Sequence, residues 1–229
     1  MKLFILLFAL CFSLNAQEID HTIWTAFLQD HVSQSGQVNY KAISENSSEL
    51  NTYLNEYVKI HPKDTWSKNQ KLSYWINAYN AFTIKLIIDN YPVNSINDIS
   101  HPWDKKFIPI NGNLMSLNEI EHEILRKMNE PRIHFAINCA SVSCPRLLNK
   151  AYLPETLDQQ LHKAAEEFIN SENNQLNAGN VKVSKIFKWF KKDFETDDSI
   201  IDFINQYAEN KIDASERIGY LDYNWNLNE

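Results

Sequence analysis

The segment RIHFAINCASVSCP, residues 132–145, brings a histidine, an asparagine and two cysteines together within fourteen positions. Three kinds of chemistry use such a set. Two thiols can close a disulfide, thiolates and an imidazole can ligate zinc, and an imidazole can take a thiol proton to leave a nucleophilic thiolate. Zinc fits worst, because neither His122 nor His134 forms, with Cys139 and Cys144, the short ligand spacings of structural zinc sites. No metal and no cofactor is called for. A Cys139–Cys144 bridge, and a buried histidine bonded to a carboxylate beside inert cysteines, stay open beside the nucleophile.

Read as a strand, residues 132–138 alternate: His134, Ala136 and Asn138 on one face, Ile133, Phe135, Ile137 and then Cys139 on the other. Cys139 therefore continues an apolar face. Cys144 precedes Pro145, as at a turn or helix start, where backbone N–H groups favour a thiolate and a developing oxyanion. Cys144 leads as nucleophile and Cys139 follows. The orienting carboxylate is sought on a helix expected over residues 117–128. At 100° per residue, Leu117, Ile120, Ile124, Leu125 and Met128 define an apolar arc with Glu121 inside it, His122 at its edge, and Glu119 and Arg126 opposite. A carboxylate in an apolar stripe is costly unless paired. With the turn at Pro131 joining helix and strand, His134 is the economical partner, and Arg132 and Arg146 are competitors. The expected centre is Glu121, His134 and Cys144, suited to acyl transfer or amide hydrolysis on a small-molecule or peptide-like, glutathione-like substrate. Arg126 or Arg146 could hold a substrate carboxylate bidentately.

The elements that must position these groups are mostly helical. Residues 20–33 read as an amphipathic helix with Ile23, Phe27 and Val32 inward, and 47–60 as a second with Leu50, Tyr53, Leu54 and Val58 inward. Residues 66–90 form a third, apolar nearly all round toward its end and so buried. Asn77 and Asn80 on it need partners, either in a site or in tying neighbouring loops to the core. After Pro92 comes a hairpin turning at Asn111-Gly112, then the 117–128 helix capped by Ser116 or Asn118. A helix begins at Pro154 with Leu157, Leu161, Ala164, Phe168 and Ile169 inward. A short strand and an aromatic-rich segment cover 181–194, and a last helix covers 199–210. The class is α+β: a helix-rich single domain with a small β-sheet.

Residues 1–16, MKLFILLFALCFSLNA, have one lysine, an apolar run and a small final residue, the pattern of a secretory leader too short to span a bilayer. Cys11 lacks the small residue before it that lipid attachment wants. Export to the periplasm or medium is expected, with residues 17–229 as one domain and no stable membrane insertion. The leader takes only Lys2 from 22 basic residues and leaves all 29 acidic ones, moving the net charge from −7 to −8. That balance argues against nucleic acid and anionic membrane surfaces. Four glycines suit a helical fold and leave no glycine-rich phosphate loop. An oxidising compartment keeps the disulfide in play. Oligomeric state is not readable.

The run YWINAYNAFTIKLI, MSLNEIEHEILR, RIHFAINCASVSCPRL, AYLPETLDQQLHKAAEEFIN and VSKIFKWFKKDF resembles, in that order, the domain-of-unknown-function family 547 over about residues 66–195. The resemblance implies that Asn77, Asn80, Glu121, His122, Arg126, His134, Asn138, Cys139, Ser143 and Cys144 gather in one site, the asparagines, His122, Arg126 and Ser143 toward substrate. It implies no particular reaction. The Glu–His–Cys content is distantly cysteine-hydrolase-like, but papain-like enzymes place cysteine before histidine along the chain. Members that look intracellular argue that bridging is not the shared purpose of the cysteines.

Overall fold

The computed structural model describes residues 19–195 and 199–229; the leader read at 1–16, with Cys11, lies outside the described residues. α1 (Thr22–His31) packs on α2 (Tyr40–Glu45) and α3 (Ser48–Lys59), and α2 and α3 pack on α4 (Lys68–Ile88). α4 starts at a capping box in which Ser67 and Gln70 satisfy each other's backbone N–H. It is buried on nearly every side. On α1 the buried residues are Trp24, Phe27 and Leu28, with Val32 buried just past its end; Phe27 and Val32 are inward as expected, and Ile23 is exposed. On α3, Leu50, Tyr53, Leu54 and Tyr57 follow the i, i+3, i+4, i+7 pattern, which leaves Val58 outside.

β1 (Ile108–Ile110) and β2 (Asn113–Met115) form the expected hairpin, with Asn111 and Gly112 both at positive φ, as a two-residue turn of this hand requires. Ser116 then caps the next segment reciprocally with Glu119. That segment is not a plain α-helix. It is π-helical over Glu119–Leu125 and 3₁₀ over Arg126–Met128, ending at Asn129 in the left-handed region. Ile120, Glu121 and Leu125 are buried as the wheel required.

The strand expected over 132–138 is a 3₁₀ turn, Pro131–Phe135. Pro131 takes its first helical position, Glu130 caps it, and Ala136 and Ile137 both donate to Ile133 O, so the apolar run satisfies its backbone without a neighbouring strand. α5 (Leu157–Ile169) starts three residues later than expected and buries Ala165 more fully than Ala164. β3 (Gln175–Asn177), β4 (Asn180–Val183) and the late β5 (Gly219–Tyr220) make a three-stranded sheet, β4 pairing antiparallel with β3 and parallel with β5. Between β4 and β5 lie α6 (Ile186–Trp189), α7 (Lys191–Phe194) and α8 (Ile200–Tyr207).

The apolar side chains fall into two clusters. One surrounds α4; the other joins α5, β4 and α6–α8, with Phe135 in it. The cysteine-bearing segment therefore lies where the two cores meet. It is hung from α4 by amide side chains. Asn80 donates to Ala136 O (3.0 Å) and accepts from Asn138 N–H (2.8 Å). Asn77 likewise clasps Tyr152, donating to its carbonyl (2.8 Å) and accepting its N–H (3.0 Å). Removing such a clasp leaves two buried backbone groups unpaired. Asn77→Ala is expected to cost about 2 kcal/mol, read as a lower urea midpoint at unchanged m-value.

Candidate functional site

A cavity of about 200 Å³ opens between the π-helical segment, the cysteine loop, α6 and the chain after β5. Cys139, Cys144, His134, Glu121 and His122 all line it. Five of the sequence-predicted residues thus converge, but their pairing differs from expectation. Glu121 accepts a hydrogen bond from Tyr79 O–H (3.1 Å), not from His134. Burial pushes its carboxyl up to about 7, against the hydrogen bond from Tyr79 and the charge of Arg126. The shorter reach to α4 wins because Glu121 turns inward toward the helix beneath it.

His134 takes Asp193, from α7, as its carboxylate, Nε2 to Oδ2 at 2.8 Å. Arg126 grips the same carboxylate, Nε to Oδ2 at 2.6 Å and Nη2 to Oδ1 at 2.8 Å. Desolvation works to raise the Asp193 carboxyl, but the hydrogen bonds from Arg126 and His134 overcome it and hold it well below the usual range. An ionised carboxylate only accepts, so His134 Nε2 carries the proton and Nδ1 keeps its lone pair. Among the described residues, Nδ1 is buried and has no hydrogen-bond partner. Burial is the largest influence on the ring and lowers its pKa, which keeps the imidazole neutral. Phe190 stacks on it, ring centroids 3.9 Å apart, and the Arg126 guanidinium lies 5.3 Å from the same Phe190 ring.

Cys139 and Cys144 are joined as a disulfide, Cα atoms 6.1 Å apart. The two sulfurs stand at disulfide distance, the arrangement that the bridged alternative requires. Cys144 is buried and accepts the Cys139 N–H at Sγ (2.8 Å), while Cys139 is half-buried, its Sγ 3.2 Å from both Ser141 Oγ and Tyr223 O–H. The backbone donor on the Cys144 sulfur is the Cys139 N–H, not one from the turn at Pro145.

The other predicted residues serve the frame. Asn77 and Asn80 spend their amides on the clasps and line neither this cavity nor the larger groove of about 880 Å³ beyond Cys144 and Pro145. Asn138 lines that groove, donating to Pro145 O and accepting from Ala140 N–H, which fixes the cysteine loop. Ser143 Oγ accepts the Asn224 N–H (2.9 Å) and pins the chain after β5. Arg126 is occupied by Asp193, and Arg146 by Glu167 at 2.6 and 2.8 Å, so neither guanidinium is held out for a substrate carboxylate. His122 bonds to Arg126 (3.0 Å); burial, then that guanidinium, lowers its pKa.

Asp193 was missed from sequence. The signal was there: it is the lone acid among five lysines in VKVSKIFKWFKKDF, beside buried Phe194. Tyr223 and Trp225 reach the cavity because Asn226 and Leu227 bridge to Ser95 and Ser141, a pairing no local pattern announces.

Fold and site together define a helix-rich α+β protein with a sulfur- and imidazole-lined cavity between two cores. Residues 63–169 match the family model described as "Protein of unknown function, DUF547", which supports the resemblance read from the sequence. The match carries both cysteines, His134 and Glu121 but stops short of Asp193 and the aromatic residues after β5. No curated protein and no solved structure matches the chain. Among the described residues, no helix is long and apolar enough to cross a membrane.

Proposed function

We propose that the cavity is the centre of an exported thiol-dependent hydrolase or acyltransferase acting on peptide-like or glutathione-like substrates, with Asp193 taking the orienting part first sought in Glu121. The observation that carries this reading is His134: Nε2 is fixed by an ionised carboxylate, and the other nitrogen is buried and, among the described residues, unpartnered on a ring lining the cavity that holds both sulfurs. A buried acceptor without a partner costs free energy, and a base awaiting a thiol proton accounts for it. The bridge is the resting state. A small-molecule thiolate attacks the more exposed Cys139 sulfur, forms a mixed disulfide there and displaces Cys144 as thiolate, which the Cys139 N–H stabilises. A second such thiolate releases Cys139 and leaves as the small-molecule disulfide. The Cys144 thiol, once reduced, passes its proton to His134 Nδ1 as sulfur attacks the acyl carbon. The imidazolium returns that proton to the departing amine or thiol, and water cleaves the thioester by the same base.

The closed bridge favours a second reading, an envelope binding module without turnover, in which the disulfide only shapes the cavity. An activated acetyl ester separates the two. The hydrolase reading expects an acetyl adduct on Cys144 by mass spectrometry of the reduced, folded protein and none on the bridged form, which is two protons lighter. Absence of an adduct in both states favours the binding module.

A further inference from the structure

Around Glu121 the cavity wall is aromatic. Trp103, Trp189, Phe190, Tyr223 and Trp225 line it, with Tyr79 below. Phe190 already stacks on His134, but the three tryptophans and Tyr223 form their own group: Tyr223 lies 4.6 Å from Trp225 and 4.8 Å from Trp189, and Trp225 lies 6.4 Å from Trp103, by ring centroids. Trp189 stays 44% exposed at the mouth, an unusual position for so large an apolar ring. Among the described residues no lysine or arginine lines the cavity, and the two lining histidines have lowered pKa values. Among the described lining residues, Glu121 is the one side chain able to carry charge near neutral pH without being spent on an ion pair; its partner is the neutral phenol of Tyr79.

We propose that this cavity binds a substituted ammonium group, the ring faces of Trp103, Trp189, Trp225 and Tyr223 meeting its alkyl surface and the Glu121 carboxylate meeting its charge. Aromatic faces present negative potential and attract a cation most strongly where water is excluded. A sugar would stack on the same rings but needs several convergent polar groups free to bind it, whereas Asn118 is spent on Asp104, His122 on Arg126 and the Tyr223 hydroxyl on Ser141 and Cys139. A cavity of about 200 Å³ is below the range that encloses a drug-sized ligand, so it takes one group of a larger molecule. The remainder then lies along the groove of about 880 Å³ reached past Cys144 and Pro145, which line both spaces. In identifying the substrate's recognised group, the assignment rests on the thiol reading; binding itself requires no turnover and is measured on the bridged protein, so the two fail separately.

Choline and neohexyl alcohol, which replaces the ammonium nitrogen by carbon, form the test pair. Titrated into the full-length protein at pH 8 with tryptophan fluorescence as readout, choline is expected to bind saturably and about tenfold more tightly than the alcohol. Glu121→Gln is expected to remove most of that preference without weakening the alcohol. Trp189→Leu, at an exposed position that leaves the core intact, is expected to weaken choline severalfold. Equal binding of the two probes, a choline affinity untouched by both variants, or no saturation with either probe overturns the proposal.

Discussion

Replacing His134 with glutamine is expected to slow iodoacetamide labelling of Cys144 about 30-fold at pH 7 in the reduced, folded protein. The size follows from thiolate supply. A cysteine titrating near 8.5 is only a few per cent ionised at pH 7, whereas a neutral imidazole that takes the thiol proton as sulfur attacks lifts that limit wherever the imidazole itself is unprotonated. Wild-type labelling should level off below pH 7, and the variant's rate should keep climbing through about 8.5. Asp193→Asn should fall between them, because the ring keeps its place against Phe190 but loses the carboxylate that fixes its tautomer. That variant also leaves the Arg126 guanidinium without its ionised partner, so labelling is compared only under conditions where near-ultraviolet dichroism shows native packing. If the pH profile of labelling is the same with and without His134, the imidazole is a structural group and the hydrolase reading falls.

Glu121→Gln should make the protein more stable at pH 8 by about 3 kcal/mol and change little at pH 5. The carboxyl titrates near 4.5 in an ordinary setting and at about 7 when folded. Between those values the folded chain holds a proton that the unfolded chain has released, so stability falls as pH rises through this window and the loss is complete above it. The interval corresponds to about 3 kcal/mol. Glutamine keeps a polar head for Tyr79 and has no proton to lose. His134 acts in the opposite sense: its folded pKa is lowered, so the unfolded chain binds the proton more readily and stability is lost as pH falls through about 6.5. Thermal melts from pH 5 to 8 check both. A Glu121→Gln melt that parallels wild type across the range would show that the carboxyl is not buried as described.

How much of this was legible depended on whether the signal was local. Helical spacing located α3 and α4 and placed Glu121 indoors, because burial on one face leaves a periodic trace. The same wheel could not say which neighbour Glu121 would meet, and proximity in sequence favoured His134 over Tyr79, 42 residues away. The apolar run 133–137 was read as a strand because short buried helices and buried strands look alike over five residues; Pro131 was the clue that settles it toward a helical turn. Asp193 and the tryptophan-rich end were assigned no role, since only tertiary pairing brings α7 and the chain after β5 to the cysteines. The family-like motif located the sulfurs and the imidazole, and the partners that set their chemistry came from outside it.

The parallel stack of Phe190 on His134 has a spectroscopic consequence. Circulating π-electrons of the phenyl ring shield nuclei held above its face, which displaces the imidazole carbon-bound protons of His134 to higher field. Seven histidines share this chain, yet this one should resonate apart from the rest, so its protonation can be followed by magnetic resonance without labels.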